Sequence, residues 1–335
     1  MTKKHATLSA SGSHRWMNCP GSVALEQQIQ QKPSSAAADW GTRAHDLSEA
    51  VLNGQMDLYE IPAEFHAVVE MYTKYVTAHV LPESVLWVER SFNLDKIHPE
   101  MFGTCDAVVI TGNTMHVIDL KSGIGKVEAE GNTQLLYYAL GALLEIPNKS
   151  GVDRVAMHIV QPKLGAIDKW EVDVDYVYAW AQELKAAAEA TEQPNAPTID
   201  GEQCQWCRAK AICPTKWAKA TEAASMEFAG PMFNLEAALE LAEQLKPWVE
   251  AVQELAKDKL TAGESVIGWQ LKPGKKTRKW VDTIVAENRF RFIPDAWTTA
   301  ALKSPTQVEK ILGKEVLEGL VNYSEAAPSL TRSDF

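Results

Sequence analysis

Two carboxylates and a lysine form the part of the sequence best suited to chemistry. Asp106 lies in GTCD, and Asp119 and Lys121 lie in IDLK, each within or beside an apolar run that is typical of a buried strand. Residues 119 and 121 are two apart, so on a strand their side chains point to the same face. Burying an unpaired charge is costly, so such groups have a partner, a metal ion or a chemical role.

This segment alone leaves two interpretations open. In the first, Asp106 and Asp119 bind a divalent cation, and Lys121 orients or deprotonates a water molecule and stabilises negative charge as a phosphodiester is attacked. Oxygen ligands favour Mg²⁺ or Mn²⁺ over zinc. In the second, Lys121 forms a structural ion pair with one aspartate, which also perturbs both groups without any catalytic role.

Other polar residues recur at helical spacing on either side of this segment. His45 and Glu49 are four residues apart on a predicted helix, so they share one face, and Gln134 and Tyr138 have the same spacing on a later helix. Glu89, in the preceding strand, either supports a site or forms a salt bridge at the edge. Taken singly, each of these residues more often has a surface, packing or salt-bridge role than a role in a site.

In this order, GTRAH, GTCD, DLK and QLLYY resemble the motifs of the RecB-like branch of the PD-(D/E)XK nuclease superfamily. The resemblance implies an α/β fold with a PD-(D/E)XK restriction-endonuclease-like core, in which a mixed central sheet is flanked by helices. It implies metal ligation by His45, Asp106, Asp119 and the carbonyl of Leu120. It implies that the catalytic group consists of Asp106, Asp119, Lys121, Gln134 and Tyr138, with Glu49 and Glu89 as possible support.

Four cysteines form a second group with the chemistry of a metal site. Cys204, Cys207 and Cys213 give the spacing C-x2-C-x5-C, and Cys19 lies near the start of the chain. Four thiolates can bind Zn²⁺ or a [4Fe–4S] cluster. The spacing is similar to that of AddB-type and CRISPR-associated RecB-like nucleases, which implies a [4Fe–4S] cluster, with Zn²⁺ as the alternative. The fifth cysteine, Cys105, is interpreted as an apolar filler of a buried strand.

The elements predicted around these residues make a mixed α/β domain followed by an extension. Apolar periodicity predicts helices over 38–52, 62–80, 131–144 and 175–191, and strands over 84–94, 103–111, 114–122, 154–162 and 170–174. We expect a nuclease domain over residues 1–220, closed by the four cysteines. The extension, residues 226–335, is predicted to contain a helix over 234–260, a hairpin over 266–282 and a short helix after Ser304.

The predicted hairpin carries a group of basic residues between Trp269 and Trp280. Such a group can contact DNA phosphates, with an aromatic side chain available to stack on a base, or it can be a solvated hairpin tip. The basic residues in question are Lys272, Lys275, Lys276, Arg278 and Lys279.

Composition bounds the class of protein. The chain has 335 residues, of which 46% are hydrophobic and 23% charged, as in soluble globular proteins. The basic N-terminal segment lacks the apolar core of a secretory signal, and no run reaches the roughly 18 apolar residues of a membrane span. We therefore expect a cytoplasmic protein without membrane contact. The net charge of −11 excludes a generally basic surface but permits a local basic groove.

The resemblance implies a metal-dependent DNA exonuclease that hydrolyses phosphodiester bonds. By similarity to phage and prophage enzymes, it implies processing of DNA ends for recombination, with a single-strand annealing protein as a possible partner. Two alternatives stay open: a CRISPR-type end-trimming nuclease, and a catalytically inactive, cluster-bearing DNA-binding protein. A homo-oligomer formed through the long helix is also open.

Overall fold

The computed structural model describes residues 6–30, 32–146, 151–225, 234–298 and 301–332. The chain divides into two compact units, Met1–Leu245 and Lys246–Phe335. The expected start of the extension, residue 226, lies outside the described residues.

The first unit is built on a mixed five-stranded sheet with the order β1-β2-β3-β4-β5. The pairs β1/β2, β2/β3 and β4/β5 are antiparallel, whereas β3 and β4 are parallel. The strands are β1 (Val85–Asn93), β2 (Phe102–Thr111), β3 (Thr114–Leu120), β4 (Arg154–Gln161) and β5 (Ala166–Asp173). This arrangement confirms the predicted α/β class, with a mixed central sheet between helices.

Helices cover both faces of this sheet. One face packs on α3 (Ala36–Leu52) and α4 (Ala63–Thr77) through a cluster that includes Leu47, Val69, Val109 and Ile118. The other face packs on α5 (Thr133–Glu145) and α6 (Val174–Thr191), with most of α5 fully buried, as its nearly continuous apolar sequence predicts. The helices of this unit are α1 (Ser13–Asn18), α2 (Ser22–Glu26), α3 (Ala36–Leu52), α4 (Ala63–Thr77), α5 (Thr133–Glu145), α6 (Val174–Thr191) and α7 (Pro214–Ser225).

The second unit has a small core of its own, formed by Phe290, Ala296, Val308 and Leu317. None of the helices within the described ranges has the length and apolar content that a bilayer span requires. The remaining elements are α8 (Leu235–Thr261), β6 (Trp269–Lys272), β7 (Lys276–Trp280), α9 (Thr283–Phe290), α10 (Pro305–Leu312), β8 (Val321–Glu325) and β9 (Ser329–Arg332).

The hairpin predicted over 266–282 is wrong. β6 pairs with β9, and β7 pairs with β8. β6 and β7 are therefore consecutive parts of one extended segment and do not pair with each other. A tight Pro-Gly turn requires a glycine at positive φ, and Gly274 lies outside that region. Instead, Ala326 N–H donates to the Lys275 carbonyl at 3.1 Å. This hydrogen bond lies between the β6/β9 and β7/β8 ladders and links the same two chain segments.

Candidate metal centre

Three side chains from separate elements converge near the end of β3. His45 on α3, Glu89 on β1 and Asp106 on β2 each offer one ligand atom, and these atoms lie within 4.8 Å of one another. His45 Nδ1 is 3.1 Å from Asp106 Oδ1 and 3.9 Å from Glu89 Oε1. All three residues are half-buried, so an ion could reach them from solvent.

Close packing of α3 on the end of β3 brings His45 to this point. A Cβ at Gly41 would lie 2.9 Å from Ser122 Oγ, tighter than ordinary contact, so a side chain there would require Ser122 or the helix to move. His45 follows four residues later on the same helix face. In GTRAH, the glycine thus allows the close approach of the helix, and the histidine is the residue that this approach positions.

The backbone is distorted where Glu89 and Asp106 face each other. The β1/β2 ladder pairs Val88 with Ala107 and Arg90 with Cys105, and Glu89, between them, adopts φ 45. Cys105 and Ala107 would share a face in a regular strand, yet they belong to different hydrophobic clusters. A non-glycine residue in this conformation costs about 1–3 kcal/mol, and such strain concentrates at functional sites.

A second network on the α5 side of the sheet adjoins the converging group. Lys121 Nζ donates to Gln134 Oε1 at 2.7 Å and lies 3.0 Å from Asp119 Oδ2. Gln134 Nε2 contacts Asp119 Oδ1 at 3.2 Å and the Tyr138 hydroxyl at 3.1 Å. Gln134 therefore links all three of the other members.

Asp119 is almost fully buried, with 2% of its surface exposed. Its Oδ2 lies 3.0 Å from the Lys121 ammonium, and among the described residues no other donor approaches this oxygen closely enough for a hydrogen bond. Burial, reinforced by Asp106, raises the pKa of Asp119 despite the opposing effect of Lys121. A buried carboxylate oxygen with spare lone pairs is chemically suited to a cation.

The carboxylates also control the charge of His45. Burial opposes its protonation, but Asp106, followed by Asp119 and Glu89, outweighs burial and raises the pKa of the imidazole to about 9. For Lys121, burial likewise opposes the charge, and Asp119 and Asp106 raise its pKa. The carboxylates therefore attract positive charge: a cation that binds His45 would displace its proton, and the oxygen-rich remainder of the donor set fits Mg²⁺ or Mn²⁺.

The ligand group differs in membership from the set implied by the resemblance. Glu89 belongs to the converging group. Asp119 does not belong to it, but it interacts electrostatically with two of its members, Asp106 and His45. Leu120 is held by its N–H, which donates to Asp106 Oδ2 at 2.7 Å. Glu49 lies one turn beyond His45 on α3 and is not a member of that group within the described residues.

The four cysteines line one shared pocket in the first unit. Cys19 ends α1, and its sulfur accepts a hydrogen bond of 3.2 Å from Ile199 N–H. Cys204, Cys207 and Cys213 lie on two short turns that precede α7. Burial raises the pKa of Cys207 to about 11, so binding of a metal there would release a proton. Cys105 is fully buried in the sheet and does not line the pocket.

A charged network ties the N-terminal segment to the cysteine turns. Glu26 is buried, and its Oε2 lies 3.0 Å from Arg15 Nη2 and 3.2 Å from Arg208 Nη2. The Arg208 N–H also donates to Glu26 Oε1 at 2.8 Å. The contacts with Arg208 join residues 182 positions apart in sequence, and Arg15 also lines the pocket of the cysteines.

The basic residues singled out in the second unit differ in their contacts and exposure. Arg278 forms an ion pair with Glu309 and lies over the Tyr323 ring, so it is committed to packing within its own unit. Trp280 packs against Phe290, which leaves it unsuited to base stacking. The four lysines of the group, in contrast, are exposed: Lys272, Lys275, Lys276 and Lys279.

Two comparisons relate the chain to known proteins. Among solved structures, it is similar to one described as "Crystal structure of SSO0001", at 16% identity and a TM-score of 0.33, over 64% of this chain and 88% of the other. A likeness this distant assigns neither fold nor activity. A family model matches residues 5–334, and the chain therefore belongs to the family described as "Protein of unknown function (DUF2800)".

Proposed function

We propose that this protein is a metal-dependent deoxyribonuclease with a RecB-like, PD-(D/E)XK type of core. The observation that carries the proposal is the convergence of His45, Glu89 and Asp106 beside the Asp119–Lys121–Gln134 network. An imidazole and several carboxylates around one point, with an ammonium alongside, match the needs of phosphodiester hydrolysis. The sequence motifs that contain these residues support the same reaction class.

Mg²⁺ or Mn²⁺ would be held by His45, Glu89 and Asp106, with Asp119 Oδ2 as a further oxygen donor. When bound, such an ion supplies Lewis-acid polarisation of the phosphodiester and acidifies water. Neutralising the carboxylates also allows an anionic DNA strand to approach.

Lys121 acts through its ammonium form in this proposal. Its Nζ donates to Gln134 and faces Asp119, both of which are acceptors, so the geometry keeps the proton on nitrogen. A positive group at this position stabilises the charge that develops on the phosphate oxygens. Gln134 fixes the direction of the lysine and of Asp119, and Tyr138 fixes Gln134.

The cysteine pocket would bind a [4Fe–4S] cluster, with Zn²⁺ as the alternative, and its role would be structural. The metal would fasten the N-terminal segment to the cysteine turns, adding to the contacts of Glu26. Anaerobic purification followed by iron, sulfide and zinc analysis distinguishes the two. By resemblance, the substrate would be DNA ends processed for recombination beside a single-strand annealing protein, with the exposed lysines of the second unit as candidate phosphate contacts.

The direct test measures degradation of linear DNA by pure protein with Mg²⁺ or Mn²⁺. Asp119→Asn and Lys121→Met each remove one charge of the network and should lower the rate at least about 100-fold. Lys126→Met is the matched control, because Lys126 is an exposed lysine that pairs with Glu128 and should leave the rate unchanged. Circular DNA provides the comparison that separates action on ends from internal cleavage.

Equal rates for the native protein and both network variants would refute the proposal, since the activity would then come from elsewhere. DNA binding without any metal-dependent cleavage by the native protein would support the inactive DNA-binding alternative instead. Circular dichroism of each variant confirms that a lost rate does not reflect unfolding.

A further inference from the structure

Three histidines gather on the face of the sheet that α3 and α4 cover. His116 on β3 and His158 on β4 lie on this face, because each precedes by two residues a member of the α3/α4 cluster, Ile118 and Val160. The parallel register pairs Ile118 with His158, which places the two histidines diagonally across neighbouring strands. His79 follows the end of α4.

The rings of these residues form one compact cluster. Ring centroids are 4.5 Å apart for His79 and His116, 5.1 Å for His79 and His158, and 5.3 Å for His116 and His158. One nitrogen of each ring lies within 4.8 Å of the other two. The shortest approach is 3.1 Å, between His116 Nδ1 and His158 Nε2.

Tyr75 orients two of the rings from outside the cluster. Its carbonyl oxygen lies 2.9 Å from His79 Nδ1, and because a carbonyl only accepts, this nitrogen carries the proton. Its hydroxyl lies 2.9 Å from His158 Nδ1. The Nε2 atoms of both rings are then left to face the cluster. Histidines that bind metals are held in this way, with the outer nitrogen bound to a carbonyl or another polar group.

The spacing of the ring nitrogens suits a metal ion. Zn–N bonds of about 2.0–2.1 Å in a tetrahedral site put ligand nitrogens roughly 3.3 Å apart, close to the 3.1 Å approach described above. Histidine binds such ions through the lone pair of a neutral imidazole nitrogen, and each of the three rings presents one nitrogen to the cluster.

We propose that His79, His116 and His158 bind a divalent transition-metal ion of the zinc type. Neutral imidazoles favour zinc and its neighbours over the Mg²⁺ or Mn²⁺ that suits the carboxylate group around Asp106. His79 is partly exposed, which gives the ion a route from solvent. The ion would fasten the end of α4 to β3 and β4. This site is independent of the proposed nuclease activity.

Zinc stoichiometry tests the proposal on the full-length protein. After removal of metal with EDTA, equilibrium dialysis against Zn²⁺ should show one fewer bound equivalent for His116→Gln and for His79→Gln than for the native protein. Zinc bound by the cysteines or by the carboxylate group contributes equally to all samples and cancels in the difference. His66→Gln is the control, because His66 lies on α4 but outside the cluster, beside Glu70.

Equal stoichiometry in the native protein and both variants would overturn the proposal and identify the cluster as a hydrogen-bonded group of neutral rings. A second readout is the thermal midpoint, which zinc should raise less in the two variants than in the native protein and the control. His79 lies beyond the helix end and is partly exposed, so His79→Gln decides the outcome if His116→Gln fails to fold. Nuclease assays play no part in this test, so its result and that of the nuclease proposal are separate.

Discussion

Gln134 holds Lys121 in place through a hydrogen bond of 2.7 Å, while its other amide atom contacts Asp119 at 3.2 Å. The uncharged amide thus connects a buried ammonium with a buried carboxylate. An oriented ammonium and an oriented carboxylate are what a preorganised site needs, and here one side chain orients both.

Replacing Gln134 with leucine, which is similar in size and cannot hydrogen-bond, should therefore lower the rate of DNA hydrolysis about 10- to 100-fold. The thermal midpoint should change little by comparison, because α5 is held by its buried apolar residues. Steady-state assays on linear DNA measure the rate. Gln193→Leu, at an exposed glutamine that contacts its own helix end, is the control. An unchanged rate for Gln134→Leu would remove the positioning role assigned to this residue.

The sequence was sufficient to predict the central architecture around this network. The apolar runs of β2 and β3, with Gly112 and Asn113 between them, predict the observed antiparallel pair. The same alternation places Asp119 and Lys121 on one face, where the spacing of Gln134 and Tyr138 on α5 can meet them. Local patterns succeed here because each element is specified by its own residues.

Features that depend on contacts between distant segments were not predictable in this way. The strand pattern around Glu89 leaves open whether it supports a site or forms a salt bridge, and nothing in that pattern indicates its positive φ. The ladders of the second unit join residues about 50 positions apart, which local turn signals such as Pro273-Gly274 cannot reveal. For the histidine cluster a signal did exist, since Met-His followed by a β-branched residue occurs in both β3 and β4, at His116 and His158.

Glu26 is expected to be critical for the segment that carries the cysteines. Glu26→Gln leaves two arginines around a neutral amide in a largely buried position, which should lower the free energy of unfolding by about 3 kcal/mol. Urea denaturation measures this loss, and the metal content of the purified protein should fall with it. Glu70→Gln, which disrupts an exposed pair with Lys74 on α4, should change stability by no more than about 0.5 kcal/mol. Equal urea midpoints for the two variants would contradict the structural role of Glu26.

The basic residues of the second unit should separate into two classes on mutation. Arg278→Ala removes a half-buried ion pair with Glu309 and should lower stability by about 1 kcal/mol. Lys276→Ala and Lys279→Ala alter exposed side chains and should leave the thermal midpoint unchanged. If these lysines contact DNA phosphates, each substitution should reduce the slope of log affinity against log salt by about 1. Fluorescence anisotropy with labelled DNA at several salt concentrations measures the slope, and unchanged slopes would exclude these lysines from the interface.

Buried His158 should make the metal-free protein sensitive to mild acid. Burial, followed by the neighbouring imidazoles, lowers the pKa of this ring from 6.5 to about 3. As the pH falls below 6.5, His158 therefore becomes protonated in the unfolded chain but stays neutral in the folded chain. The contribution of His158 to the free energy of unfolding is complete above pH 6.5 and declines as the pH falls towards 3. Each pH unit below 6.5 should cost up to about 1.4 kcal/mol from this one group.

The comparison that isolates His158 is urea denaturation in EDTA at pH 7, 6 and 5. His158→Gln removes the titrating ring, so its stability should fall less steeply over this range than that of the native protein, whatever its absolute value. His66→Gln should keep the native slope, because His66 is a partly exposed residue of α4 outside the cluster. Carboxylates titrate in all three proteins alike, and therefore parallel profiles for His158→Gln and the native chain would show that the buried ring does not resist protonation.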